Sequence, residues 1–359
     1  MIKILSHWPK FSPILVGLFL LLLINISITG PISLFAFVVM MIAVVASVHH
    51  AEVIAHRLGE PFGTLVLALA VTVIETAMIV SIMFTDKSNS AALPRDTIYS
   101  AVMIICNGVV GLCLLIGGLH HKEQLFRIEG TGSGFAALAT LSILVLVMPL
   151  YTISSPEGTY TSSQLLYVAL SSLALWLVFV FIQTIRHRDY FLPSENTHDE
   201  GVHAIPPSNF QAWLSFFLMA LSLLCVVGLA KLLSPAISSL VVSIGAPKSV
   251  VGIIIALIVL LPETWAALRA ATANRLQTSM NLAIGSALAS IGLTIPLVIV
   301  FAVIFNFDLM LGLDSKDVLL LALTFLVGSI TLGSGKTNVM QGAIHLVLFT
   351  SFLFLTLVP

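Results

Sequence analysis

Eleven long apolar runs constrain this chain more than any other feature. They lie near residues 13–28, 31–48, 62–84, 97–119, 134–154, 164–185, 210–232, 249–272, 280–306, 317–333 and 338–358. About 20 apolar residues in a helix cross a bilayer. In lipid each backbone N–H and C=O must be satisfied within the protein, which a helix does by itself. The fold class expected is therefore an all-α polytopic membrane protein with about 11 transmembrane helices. Composition agrees. Charged residues make up 9% of the 359, whereas a soluble domain carries about 25%. That excludes a free globular enzyme and a disordered chain. With 15 Lys and Arg against 16 Asp and Glu, no basic face is available for nucleic acid. Cys106, Cys113 and Cys225 lie inside apolar stretches with no Cys-x-x-Cys spacing, so they read as small core residues.

Sidedness follows from the placement of Lys and Arg. With a cytoplasmic N-terminus, ten basic residues fall on the cytoplasmic side, among them Lys10, Arg57, Lys122, Arg127, Arg186 and Lys336, and five on the other. The C-terminus is then outside. The first run follows Lys3 and Lys10 as a signal peptide would, but no small-x-small cleavage pattern stands near residues 26–30, and it is read as a retained extra helix. The longest polar stretch, 186–209, reads as a loosely packed cytoplasmic linker between two halves. The organisation expected is an N-terminal helix (1–30), a first five-helix repeat (31–185), the linker (186–209) and a second five-helix repeat (210–359).

The halves resemble each other. ALAVTVIETAMIV (68–80) and ALIVLLPETWAAL (256–268) share five identities: Ala68/Ala256, Leu69/Leu257, Val71/Val259, Glu75/Glu263 and Thr76/Thr264. A Gly-x-Pro precedes each segment. In the next helix of each half, Cys106-Asn107-x3-Gly111 runs beside Gly285-Ser286-x3-Ser290. Each half holds five spans, an odd number, so the second enters the membrane upside down relative to the first. In transporters built from inverted repeats the site lies near the bilayer midplane, where the halves meet.

Of the sixteen acidic residues only Glu75 and Glu263 sit well inside apolar runs. A charge at that depth costs at least about 2.5–3.5 kcal/mol, and no basic residue lies within either run to neutralise it. Two such residues at matching positions of a repeat point to a functional pair. Their hard oxygens suit Ca²⁺ or Na⁺ and argue against soft metals. Thr72, one turn before Glu75, together with Asn107, Ser286 and Ser290, offers further oxygens. Pro262 has no N–H to give and so frees the carbonyl of Ile258, a ligand of the kind used at membrane depth. The same carboxylates bind protons and titrate as a coupled unit. Competition between cation and proton for one site, with alternating access, is the minimal basis of cation/proton exchange.

Weaker signals remain. His49, Glu52 and His56 share a helix face at the cytoplasmic end of the second run, where they would relay protons or simply be solvated, and Glu60 stands at the mouth of the third. His345, inside the eleventh run, reads as a core histidine or a proton-path residue. Gly333-Ser-Gly-Lys-Thr337 imitates the end of a P-loop, but the Gly that the pattern needs at 330 is Ile330, and a short inter-helix loop is the wrong context. No nucleotide is expected.

HHAEVIAHRLGEPFGTLVLALAVTVIETAMIVSIM (49–83) and LPETWAALRAATANRLQTSMNLAIGSALASIGLTIP (261–296) resemble the ChaA-type bacterial antiporters, in the calcium/proton branch of the calcium/cation antiporter superfamily. The resemblance covers both halves. It implies a ten-helix inverted-repeat core plus one extra helix, in a bacterial inner membrane, exchanging Ca²⁺ for H⁺, with Na⁺/H⁺ and K⁺/H⁺ exchange also linked to this type. The family's paired glutamates match Glu75 and Glu263, and its Gly-Ser matches Gly285-Ser286, with Asn107 as the first-half counterpart. The wider family has Gly-Asn-x-x-Glu before each glutamate; here Val71-Thr72 and Val259-Leu260 stand there, which leaves room for monovalent cations and for an antiporter with little calcium activity.

The expected partners are inorganic cations, protons and lipid. Ca²⁺, Na⁺ or K⁺ and H⁺ are cargo, and no resident cofactor is expected. A channel would need a filter loop or carbonyl ring, and nothing here repeats as one. An intramembrane enzyme would need a nucleophile with its base or a metal motif, and the chain has neither. Nothing in the sequence sets the oligomeric state.

Overall fold

A computed structural model describes residues 8–24, 30–59, 62–85, 90–192, 207–243 and 245–358. Their helices run in the order α1 (Trp8–Leu23), α2 (Pro31–Leu58), α3 (Phe62–Thr85), α4 (Leu93–His121), α5 (Ile128–Leu150), α6 (Ser162–Arg186), α7 (Asn209–Ser243), α8 (Ser249–Thr272), α9 (Leu276–Phe305), α10 (Ser315–Leu332) and α11 (Val339–Leu357). Nine of these are long and apolar enough to cross a membrane among the described residues, α8 is a bent span, and α1 is a shorter apolar helix. The protein is an all-α polytopic membrane protein, as the apolar runs predict.

Local sequence explains where the helices begin and end. Thr161 with Gln164 and Asn338 with Gln341 form reciprocal capping boxes at the starts of α6 and α11, each satisfying orphan N–H groups. These helices are the last of each half. The helices α4 and α9, also counterparts, end at the positive-φ residues Lys122 and Asn306. Both are broken midway by a π-helical turn, Ile104–Val109 in α4 and Ser290–Thr294 in α9.

The inverted repeat is visible at the two faces. On one, strand β1 (Gln124–Leu125), between α4 and α5, pairs antiparallel with β2 (Lys336–Thr337), between α10 and α11. The P-loop-like pentapeptide is thus a turn leading into β2. Exchanging the halves maps that pairing onto the opposite face. There the loop between α9 and α10 meets the loop between α5 and α6, and the N–H groups of Leu311 and Gly312 both donate to the Gly158 carbonyl at 2.9 Å. The ion pairs recorded among the described residues, Lys336–Glu123 and Arg95–Asp96, sit one at each face.

The core lies where α3, α4, α8 and α9 meet. In the spanning windows of α3, α4 and α9, 67%, 78% and 61% of residues are buried within the protein, against 28–44% elsewhere, so the other helices turn more of their surface to lipid. The start of the polar stretch is packed rather than loose. Arg188–Phe191 forms a 3₁₀ turn, and Phe191 is buried edge-on against Phe179. Arg127 and Asn281 donate to the carbonyls of Asp189 and Phe191. The physical reason is the aromatic side chain at 191, which carries the chain back onto α5 and α9 before the rest of the polar stretch, most of which lies outside the described residues.

Candidate cation site

Glu75 points inward from α3, with 1% of its surface exposed. Helix α8 bends by 52° between Leu261 and Glu263, where proline at 262 removes a backbone donor. Glu263 is the first residue past the bend and is 6% exposed. Neither carboxylate has a cationic partner among the recorded ion pairs. Both are held by hydroxyls of one helix, α9. The Ser286 hydroxyl donates to Glu263 Oε2, and the Thr294 hydroxyl donates to Glu75 Oε2 at 2.9 Å.

Steps of four residues place Ser286, Ser290 and Thr294 along one stripe of a helix. The last two belong to the π-helical turn, whose wider winding is common at functional sites. Thr294 is missing from the candidates read from the sequence. Its signal was there, as the next step of four after Ser286 and Ser290.

Two predicted auxiliary ligands make hydrogen bonds away from the carboxylates. The Thr72 hydroxyl donates to the Ala68 carbonyl of its own helix at 2.8 Å, the usual alternative for a threonine within a helix. Thr264 does the same to Leu260 at 2.7 Å. Asn107 does not face the carboxylates. Its amide donates to Thr324 Oγ1 at 2.9 Å, and its Oδ1 meets His345 Nδ1 at 3.2 Å. Ile105 and Val109, four residues apart on one helix face, line a small cavity with Glu263 and Ser286, which leaves Asn107, midway between them, on the other side. His345 Nε2 bonds Thr331 at 3.1 Å, so His345 is a buried histidine with both ring nitrogens partnered. The Thr76 hydroxyl is buried without a partner among the described residues.

His49, Glu52 and His56 are exposed on α2, and none of them reaches the pair. Glu60 lies outside the described residues. Groups of three or more His, Cys, Asp or Glu able to hold a metal are absent among the described residues. The donors that do converge are carboxylate and hydroxyl oxygens, the set preferred by hard cations.

The sequence pattern of the sodium/calcium exchanger protein family matches residues 28–185 and 214–358. A provisionally named ionic transporter of Sinorhizobium fredii, y4hA, is 46% identical over 318 residues, which cover 88% of this chain and 86% of that protein. The sodium-potassium/proton antiporter ChaA of Escherichia coli is 35% identical over 325 residues, covering 90% of this chain and 87% of ChaA. Among solved structures, that of the H⁺/Ca²⁺ exchanger CAX superposes with a TM-score of 0.73, covering 96% of this chain and 88% of the other at 16% identity. That similarity concerns the fold.

Proposed function

From its membership of the sodium/calcium exchanger protein family, to which this chain belongs, we propose that the protein is a secondary cation/proton antiporter and not an enzyme, in which cation and protons compete for the Glu75–Glu263 pair. The carrying observation is the convergence of the two lipid-depth carboxylates on the hydroxyl stripe of α9. With both carboxylates ionised the site holds two negative charges and attracts a cation. With protons bound it is neutral and stays closed without one. Alternating access between these two loaded forms exchanges one for the other.

The surroundings favour a monovalent cation, Na⁺ or K⁺, over Ca²⁺. Calcium takes six to eight oxygens. The wall that α4 turns toward Glu263 is made of Ile105 and Val109, and Asn107 is engaged elsewhere. Hydroxyl ligands come from one side only. The 35% identical relative named as a sodium-potassium/proton antiporter agrees with this choice. The protein is placed in a bacterial inner membrane with its N-terminus cytoplasmic, on the distribution of Lys and Arg.

The test is proton movement in proteoliposomes on addition of Na⁺, K⁺ or Ca²⁺ in turn. Na⁺ or K⁺ should release protons, more so as pH rises because fewer protons compete. Glu75→Gln and Glu263→Gln should each abolish the response. Proton release driven by Ca²⁺ alone would reverse the choice of cation. Normal exchange in either Gln variant would overturn the competition.

A further inference from the structure

The carboxylates differ in access. A small pocket between α3, α6, α8 and α9, with room for about one water-sized group, reaches Glu263 and Ser286, while Glu75 does not line it. It lies toward the ends of α6 and α9 at the β1–β2 face, where Gln183 and Asn281 stand. Its walls are mostly apolar, and among the described residues the one charged side chain lining it is Glu263. A Cβ placed on Gly285 would meet nothing within 4 Å, so the gap beside Ser286 is open space.

Three other polar residues line this path: Ser286, Asn281 and Gln183. The Ser286 hydroxyl is committed to Glu263. Asn281 is committed twice, its Oδ1 accepting from Gln277 and its amide donating to the Phe191 carbonyl. Gln183 is 8% exposed, and it makes no hydrogen bond to any described residue. It follows Trp176, Phe179 and Val180 at helical spacing, which puts it on the same inward face. A buried, uncommitted amide normally finds a partner. The Gln183 amide is not one of the sealed polar groups left without a partner, so it reaches the pocket and is open to whatever enters there.

We propose that Gln183 is a cation-positioning residue: its amide oxygen takes a partly dehydrated cation in the cavity and hands it to Glu263, which loads before Glu75. The amide supplies a hard oxygen that makes no hydrogen bond of its own, unlike those of Ser286 and Asn281, and being neutral it adds no charge that would trap the ion. This deepens the reading of Glu263 as a cation ligand and rests on it.

The experiment measures cation-driven proton release in proteoliposomes against Na⁺ and K⁺ concentration. Gln183→Leu keeps the size and removes the amide. It should raise the half-saturating cation concentration about tenfold with little change in maximal rate, the signature of lost binding rather than lost turnover. Gln183→Asn should recover part of that loss. In a parallel measurement, Gln183→Cys should react with a membrane-impermeant cationic thiol reagent from one side only, and Na⁺ or K⁺ should protect it. The background is low because Cys106, Cys113 and Cys225 are buried. An unchanged half-saturating concentration in Gln183→Leu overturns the inference, as does a fall in maximal rate alone or a cysteine at 183 inert from both sides. Glu263→Gln serves as the separate control. If it exchanges normally, the proposed function itself falls; if it is inactive while Gln183→Leu behaves as wild type, only the role of Gln183 falls.

Discussion

Glu75 and Glu263 are the same residue at matching places in two repeats, yet their surroundings differ. Glu75 sits within α3, is 1% exposed, and takes its bond from Thr294 in the opposite half. Glu263 follows a 52° bend in α8, takes its bond from Ser286 in its own half, and borders an open cavity. A repeat built from two equivalent halves has thus settled into two inequivalent arrangements. The difference teaches how a symmetric sequence can reach an asymmetric arrangement: among the described residues, Glu263 lines a pocket beside α6 that Glu75 does not line. Exchanging the two environments across the pseudo-two-fold axis would open the opposite face.

The largest test of the comparison is charge removal. Glu75→Gln and Glu263→Gln should both stop exchange, with residual rates at least about tenfold below wild type, equivalent to about 1.4 kcal/mol or more. If only one were needed, the pair would not be a shared site. Protein levels should hold, since a neutral amide at membrane depth is less costly than an unpaired charge.

Next comes the pocket beside Glu263. Gly285→Leu projects a side chain into space where nothing stands within 4 Å. Thermal stability in detergent should change little, because replacing glycine within a helix is worth at most about 1 kcal/mol, while transport drops severalfold. Unimpaired transport with a folded protein would mean that cations do not pass beside Ser286.

A smaller effect separates the two hydroxyl partners. Thr294→Val strips a partner from the sealed Glu75 and should lower stability by about 1 kcal/mol, in the range found for hydrogen bonds between membrane helices. Ser286→Ala should cost less, because Glu263 can turn to the cavity for water. Equal losses in unfolding measurements would remove the distinction in burial on which the comparison stands.

The smallest effect on exchange is expected at the cluster of Asn107, Thr324, His345 and Thr331. Asn107→Leu leaves His345 Nδ1 without its partner and should cost about 1–3 kcal/mol of stability, as for a buried group left unsatisfied. The half-saturating cation concentration should stay near wild type. A large rise there would mean that Asn107 reaches the cation after all, in a state of the cycle other than this one.

Much of this was legible in the chain. Eleven runs of apolar residues became eleven helices, because lipid leaves the backbone no alternative that satisfies its hydrogen bonds. The odd number of spans per half dictated the inversion. The two carboxylates stood out because charge at that depth is too costly to be incidental. Ser286 and Ser290 were legible as neighbours for the same reason of spacing. Asn107 was placed by its alignment with Ser286, and alignment along the chain does not say which way a helix is rotated; its side chain meets Thr324 and His345 instead. Thr72 gives its proton to a carbonyl of its own helix and keeps its oxygen lone pairs. Gln183 went unnoticed because a single amide at the end of an apolar stripe looks like a helix end reaching water.

The sequence by itself determined the membrane class, the order of the apolar helices and the chemical identity of the two buried acids. These depend on transfer energies, which are local. Only the tertiary structure decided which hydroxyls serve which carboxylate, that α9 supplies both, and that Glu263 lines the pocket beside α6. Those outcomes depend on how helices from opposite halves rotate and bend against one another. Two segments with the same Glu-Thr reach different environments because one of them carries a proline before its glutamate and the other an isoleucine, and because the helices around them do not pack alike.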